Sequence, residues 1–185
     1  MSADFAGRAG AALVVGGSGG LGRAIAHLLA ERGATVAVTY RTRPPEDAAA
    51  SYELDLNDTS APAGVVERVV AEHGGLHTLV YAAGPFVPMT HLSRVAPEQM
   101  ASQLAADAAG FFAIAHAALP PLRESRGSIV AVTTAATSRF PVRDGLSSAP
   151  KAAVEAIVRG LAAEEGRFGV RVNAVGPGML TDGMA

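Results

Sequence analysis

Short apolar runs alternate along the chain with longer stretches in which apolar residues recur every three or four positions. The runs fall at residues 11–15, 35–40, 52–54, 76–81, 127–133 and 170–175. They are short, rich in Val, Leu and Ile, and mostly bounded by Gly, Pro, Asn or Asp, which predicts strands. The stretches at 21–32, 62–72, 97–118 and 147–168 carry the helical period. In the second of these, Val65, Val66, Val69 and Val70 share one face. Pro97 suits a first helical turn, where its missing N–H costs nothing. Strands separated by helices predict an α/β, doubly wound parallel sheet of six strands. Ligands in such sheets bind beyond the carboxyl ends of the strands.

At 185 residues the chain is expected to be a single domain over 1–185. Hydrophobic residues make up 49% and charged residues 17%, a composition that buries a core rather than staying disordered. The net charge of −2, with no basic block, excludes the electrostatic footprint of a nucleic-acid binder. Cysteine is absent, so disulfides, thiolate metal sites and a cysteine nucleophile are excluded. The five histidines show no metal-ligand spacing, and no metal is expected. No signal segment is visible and the longest apolar runs are interrupted, so the expectation is a cytoplasmic protein without a membrane segment.

The first strand runs into Gly16-Gly17-Ser18-Gly19-Gly20-Leu21-Gly22, which opens directly into the first helix. A helix N-terminus offers unpaired N–H groups and the positive end of a dipole, and glycines let a diphosphate approach them. The turn therefore points to a dinucleotide site. No Gly-Lys-Ser/Thr ending follows, which disfavours a P-loop. The second strand ends Thr39-Tyr40-Arg41-Thr42-Arg43 with no carboxylate. A guanidinium there suits a 2′-phosphate, so NADP(H) is favoured over NAD(H) through Arg41, with Arg43 nearby. The plainer alternative is a solvated surface arginine.

Together these residues resemble the short-chain dehydrogenase/reductase family across about residues 10–182. Gly16, Gly20 and Gly22 match its glycine motif, with Ser18 and Leu21 beside them. Asp55, followed by Leu56, matches the acidic residue that meets the adenine ring. Ala82-Ala83-Gly84 loosely matches the turn after strand four, and Pro177-Gly178 the pair after strand six. Thr181 stands near the position of the threonine that meets the carboxamide. The resemblance implies a Rossmann fold, a nicotinamide cofactor, and hydride transfer between that cofactor and a small-molecule carbonyl or alcohol. It also implies a homodimer or homotetramer formed through the fourth and fifth helices, whose alanine-rich faces permit close packing. The substrate-covering lid and seventh strand that the resemblance implies are absent from the visible chain. Only 13 residues separate Arg41 from Asp55, which predicts a stunted second crossover helix.

The family's chemistry uses Asn, Ser, Tyr and Lys, and only the lysine is retained. Lys151 matches it and would hold the nicotinamide ribose. Four residues earlier stands Ser147 in place of Tyr, the serine position falls on Thr134, and the Asn position falls on Asp107. Thr134 keeps a hydroxyl for the substrate oxygen. Asp107 either pairs with Lys151, directly or through water, or is a solvated or hydrogen-bonded carboxylate. Ser147 cannot reach where a phenol would, and with Pro150 behind it reads more readily as a helix N-cap. Tyr81, at the end of strand four, is either a replacement proton donor or a ring packed beside the cofactor. His91 falls in the loop that meets substrate, and His116 on the fourth helix suits packing or an interface. Two further readings compete with the oxidoreductase: a cofactor-binding protein without turnover, and an oligomerising scaffold.

Overall fold

A computed structural model describes residues 4–84 and 87–180. Six strands form one parallel sheet: β1 (Ala11–Val15), β2 (Thr35–Tyr40), β3 (Ser51–Glu53), β4 (Leu76–Tyr81), β5 (Ser128–Val132) and β6 (Arg171–Val175). Their order is β3-β2-β1-β4-β5-β6. The order reverses between β1 and β4, the switch point at which Rossmann sheets bind dinucleotides. Each predicted strand is present, with its ends shifted by no more than one residue.

The helices are α1 (Gly20–Glu31), α2 (Ala61–His73), α3 (Pro97–Leu104), α4 (Gly110–Ser125) and α5 (Gly145–Glu165). Period-two alternation sends Leu13, Val15, Leu79, Tyr81, Ile129 and Ala131 to one face of the sheet. There they pack with Val65, Val66 and Val69 of α2, Phe111 and Ile114 of α4, and Val154 and Val158 of α5. The opposite face is thinner: Val14, Val38 and Val80 meet Ile25, Ala26 and Leu29 of α1. Arg123 of α4 donates two 2.7 Å bonds to the buried Glu165 carboxylate, which fixes α5 beside α4.

Three expectations need correction. First, the predicted second crossover helix is missing altogether. The segment from Arg41 to Ala50 has no helix, and it is pinned to α1 by Asp47, whose carboxylate meets Arg23 Nε at 2.8 Å and His27 Nε2 at 2.6 Å. Second, the helix expected over 97–118 is three consecutive pieces that continue to Ser125. Its middle, Ala105–Ala109, is a π-turn. Pro120 and Pro121 do not end α4, because Leu119 and Leu122 are buried and Ser125 Oγ donates to the Leu76 carbonyl at 2.8 Å. This helical run, Pro97–Ser125, is long and apolar enough to cross a membrane by length and composition, contrary to the sequence expectation. Its apolar face is the one packed on β4 and α2.

Third, α5 starts before Ser147. The Asp144 carbonyl receives the amides of both Ser147 and Ser148, so Asp144 occupies the cap position and Ser147 lies within the first turn. Pro150 then sits in the second turn, where it removes the N–H that would bond the Leu146 carbonyl.

His77 on β4 is fully buried, stacked 5.6 Å from the Phe5 ring, with Nδ1 2.9 Å from Thr78 Oγ1. Burial, and secondarily the charge of Arg8, pushes its pKa down to about 4. The folded chain thus keeps a neutral imidazole that the unfolded chain protonates near pH 6.5. Its contribution is complete above about pH 6.5 and is lost as pH falls towards about 4, a change worth about 3 kcal/mol. Urea unfolding at pH 7 and pH 4.5 should show a steeper loss for the wild type than for His77→Leu. Equal losses would contradict this account.

Candidate active site

A cleft of about 300 Å³ opens at the carboxyl ends of the strands, across the β1/β4 switch point. One wall is the turn after β1, with Gly16, Ser18 and Gly19; the other is the turn after β4, Ala82 to Gly84. Arg41, Asp55, Leu56 and Asn57 line the end towards β2 and β3. A second hollow of about 280 Å³ lies between α1 and the helix-free crossover.

The glycine turn is set by contacts within the protein. Gly16 has φ +84°, and a Cβ there would come within 2.8 Å of the Ala83 backbone nitrogen. A Cβ on Gly22 would fall on the Gly16 carbonyl oxygen. The turn is also tied to β2: the Gly16 amide donates to Thr39 Oγ1 at 3.1 Å, and the Gly17 amide to the Thr39 carbonyl at 2.9 Å. Gly20 differs, since a Cβ there would meet nothing within 4 Å. Packing explains Gly16 and Gly22 but not Gly20, and α1 begins there with no side chain capping its first amides. A diphosphate fits that open helix start. Leu21 is exposed beside it.

At the adenine end, Asp55 Oδ1 accepts the Asn57 amide at 3.0 Å and its side-chain Nδ2 at 2.8 Å. This fixes the carboxylate on the cleft wall. Arg41 is exposed on the same wall. Thr39 and Asn57 were not singled out by the sequence. Thr39 is masked by the β-branched residues usual in strands, whereas the Asp-x-Asn turn is a signal that was open to reading.

At the other end stands the retained lysine. Lys151 Nζ donates to Asp107 Oδ1 at 3.0 Å and to the Ala83 carbonyl at 3.2 Å. Asp107 sits in the π-turn and is only 4% exposed. Burial raises its pKa, opposed by the Lys151 charge and by hydrogen bonds from Lys151 and Tyr81. Of the readings open for Asp107, the structure shows the direct pair.

Tyr81 takes the packing role rather than that of an accessible acid. It is fully buried, its ring meets Phe111 edge-on at 5.2 Å, and its hydroxyl donates to the Asp107 backbone carbonyl at 3.1 Å. Burial, with Asp107 nearby, holds its pKa well above the usual phenol value.

Thr134 precedes a short 3₁₀ turn, Ala135–Thr137, and its hydroxyl accepts the Ala136 amide at 3.2 Å. The Pro177 carbonyl accepts the Ala135 amide, which brings the end of β6 beside Thr134. Ser147 is half-buried. Among the described residues, no hydrogen bond joins Thr134 or Ser147 to the Lys151–Asp107 pair. Gly178 follows Pro177, and Thr181 lies outside the described residues. His91 is exposed, and His116 packs on Phe112 at 5.9 Å.

Comparison with known proteins agrees with this geometry. Residues 15–185 match the family described as enoyl-(acyl carrier protein) reductase. A versicolorin reductase of Emericella nidulans is 30% identical over 185 residues, covering 94% of this chain and 70% of that protein. An acetoacetyl-CoA reductase of Paracoccus denitrificans is 30% identical over 177 residues, covering 91% of this chain and 73% of that protein. An uncharacterized oxidoreductase of Escherichia coli matches at 30% identity, and there the chain spans only 62% of the relative's length. A short-chain dehydrogenase of Burkholderia cenocepacia J2315, solved in complex with NADP, superposes with a TM-score of 0.84 at 33% identity, covering 91% of this chain and 74% of that one. Sheet order, glycine turn, retained lysine and these relatives converge: the chain belongs to the short-chain dehydrogenase/reductase family of oxidoreductases.

Proposed function

We propose that the chain binds NADP(H) and moves a hydride between the nicotinamide and a small-molecule carbonyl or alcohol. The observation that carries this reading is the cleft itself, which runs from Arg41 and Asp55 past the glycine turn to the turn that Lys151 holds. When bound, the cofactor supplies or accepts the hydride. Gly16, Ser18, Gly20, Leu21 and Gly22 would meet the diphosphate, and Asp55 with Leu56 the adenine. Ala82, Ala83, Gly84, Lys151, Pro177 and Gly178 would meet the nicotinamide half. Thr134 keeps a hydroxyl with which to orient the substrate oxygen.

The choice of NADP(H) rests on Arg41, an exposed guanidinium on the cleft wall at a strand end that carries no carboxylate. The NADP held by the Burkholderia relative supports it. Arg41→Ala is expected to weaken NADPH binding about tenfold, the worth of one partly exposed charge-assisted contact, and to leave NADH within about twofold. Fluorescence titration of the reduced nicotinamide reads both affinities. An unchanged NADPH/NADH ratio would refute the assignment.

A further inference from the structure

Carbonyl reduction needs an acid at the carbonyl oxygen, and where the family places a phenol this chain has Ser147. An alkanol is a far weaker acid than a phenol. The other acids in or beside the cleft are badly placed or committed. Tyr81 is fully buried and already donates to the Asp107 carbonyl. Tyr40 and Asp55 line the opposite end, towards β2 and β3. Asp107 turns its carboxylate to Lys151.

Lys151 remains. In water an ammonium, at about 10.4, is nearly as strong an acid as a phenol, at about 10. Of the 15 Lys and Arg residues in the chain, Lys151 is the single lysine. Guanidinium groups do not release a proton at working pH, so among the Lys and Arg residues this is the one able to serve as an acid, and no histidine lines the cleft. Two of its three N–H bonds are taken, by Asp107 Oδ1 and the Ala83 carbonyl. Among the described residues no third acceptor meets it, and Nζ lies beside Gly84, on the cleft wall.

We infer that the Lys151 ammonium donates the proton in carbonyl reduction, and that Asp107 is the positioning residue that holds it in place. The inference rests on the oxidoreductase reading above. A bound dihydronicotinamide would supply the hydride to the carbonyl carbon and would be the group oxidised. The electron pair released from the C=O π bond onto oxygen takes a proton from Nζ, so that an O–H bond forms as an N–H bond breaks. Lys151 is left as a neutral amine and regains its proton from water. Asp107 lies in the π-turn, where its carboxylate meets Lys151 of α5 while its carbonyl takes the Tyr81 hydroxyl. The other titratable groups at the pair are Tyr81, whose ring centre is 5.4 Å from Nζ, and Glu155 one turn along α5, which accepts the Thr137 hydroxyl. Phe111 of α4 brings only an apolar ring.

The test uses the full chain, NADPH, and two activated carbonyl probes, a 1,2-diketone and an aryl trifluoromethyl ketone. Lys151→Arg keeps the cation and its donors but has no proton to give. It should bind NADPH within about threefold of wild type by fluorescence and lose kcat by about 100-fold or more. With ¹⁵N-lysine labelling the chain gives one ammonium resonance. Its titration midpoint should coincide with a limb of the kcat/KM pH profile, and the two should move together in Asp107→Asn. Near wild-type turnover by Lys151→Arg, or a limb that stays put while the resonance moves, overturns the inference. So does wild-type NADPH binding with no turnover of either probe, although the cofactor reading survives that result. Failure to bind NADPH or NADH overturns the oxidoreductase reading itself.

Discussion

Gly22→Ala is expected to remove measurable NADPH binding and to destabilise the fold, whereas Gly20→Ala, two residues away, should impair binding alone. A Cβ at position 22 would fall on the Gly16 carbonyl oxygen, which is backbone and cannot swing aside. Either α1 backs away from the turn or the turn opens. Overpacking of this kind costs about 1–3 kcal/mol, with backbone contacts at the upper end. Gly16 is the pivot of the site: its amide bonds Thr39, and its Cα stands against the turn at Ala83. Both walls of the cleft would therefore shift. At Gly20 the added methyl meets nothing within 4 Å, and alanine suits a helix better than glycine. Its melting temperature should match or exceed that of wild type. The methyl would nonetheless stand where a diphosphate approaches the helix start, and NADPH affinity should fall about tenfold or more. Thermal melts paired with NADPH titrations separate the two effects. Unimpaired binding by Gly20→Ala would mean that no phosphate approaches there.

The second large effect is expected at the buried ion pair. Asp107→Ala strands a partly buried ammonium whose one remaining partner among the described residues is the Ala83 carbonyl. Removing one member of a buried pair costs about 3–5 kcal/mol, because the survivor keeps its desolvation penalty without its counter-charge. Replacing both members with apolar residues of similar size removes that penalty. Asp107→Leu/Lys151→Met is therefore expected to recover most of the lost stability while remaining inactive. Urea unfolding of the two variants reads this directly. If the double variant is no more stable than Asp107→Ala, the pair contributes by packing rather than by charge. Recovery of stability without recovery of function would show that the pair is retained for the chemistry of the site.

The centre of the sheet was legible because burial on both faces writes its strands as largely apolar runs. β1 and β4 are buried along their whole lengths. Four valines on one helical face announced α2 in the same way. What the sequence concealed depended on groups far apart in the chain. Asp107 and Lys151 are 44 positions apart, so their pairing was one of several open readings that local periodicity could not choose between. Tyr81 ends a strand and borders the cofactor side, features shared by exposed and buried rings alike. Only its bond to the Asp107 carbonyl shows where the hydroxyl points.

The start of α5 was misplaced for a related reason. Pro150 argued for a first-turn position, yet the Asp144 carbonyl captures two amides earlier in the chain and starts the helix there. The Arg41–Ala50 crossover shows the limit from the other side. Its shortness was countable, but its attachment to α1 through Asp47 was not. At the glycine turn the reasons for glycine differ from one position to the next. Two are demanded by the protein's own packing, and at Gly20 nothing in the packing demands it.

The central claim is that the cleft across β1 and β4 is a nicotinamide dinucleotide site that prefers the 2′-phosphorylated form. Fluorescence titration of the chain with NADPH, and separately with NADH, tests it most directly. The chain contains no tryptophan, so the reduced nicotinamide signal stands alone. The account predicts saturable binding of both in the micromolar range, with NADPH tighter by about tenfold. No binding of either nucleotide, or tighter binding of NADH, would contradict it.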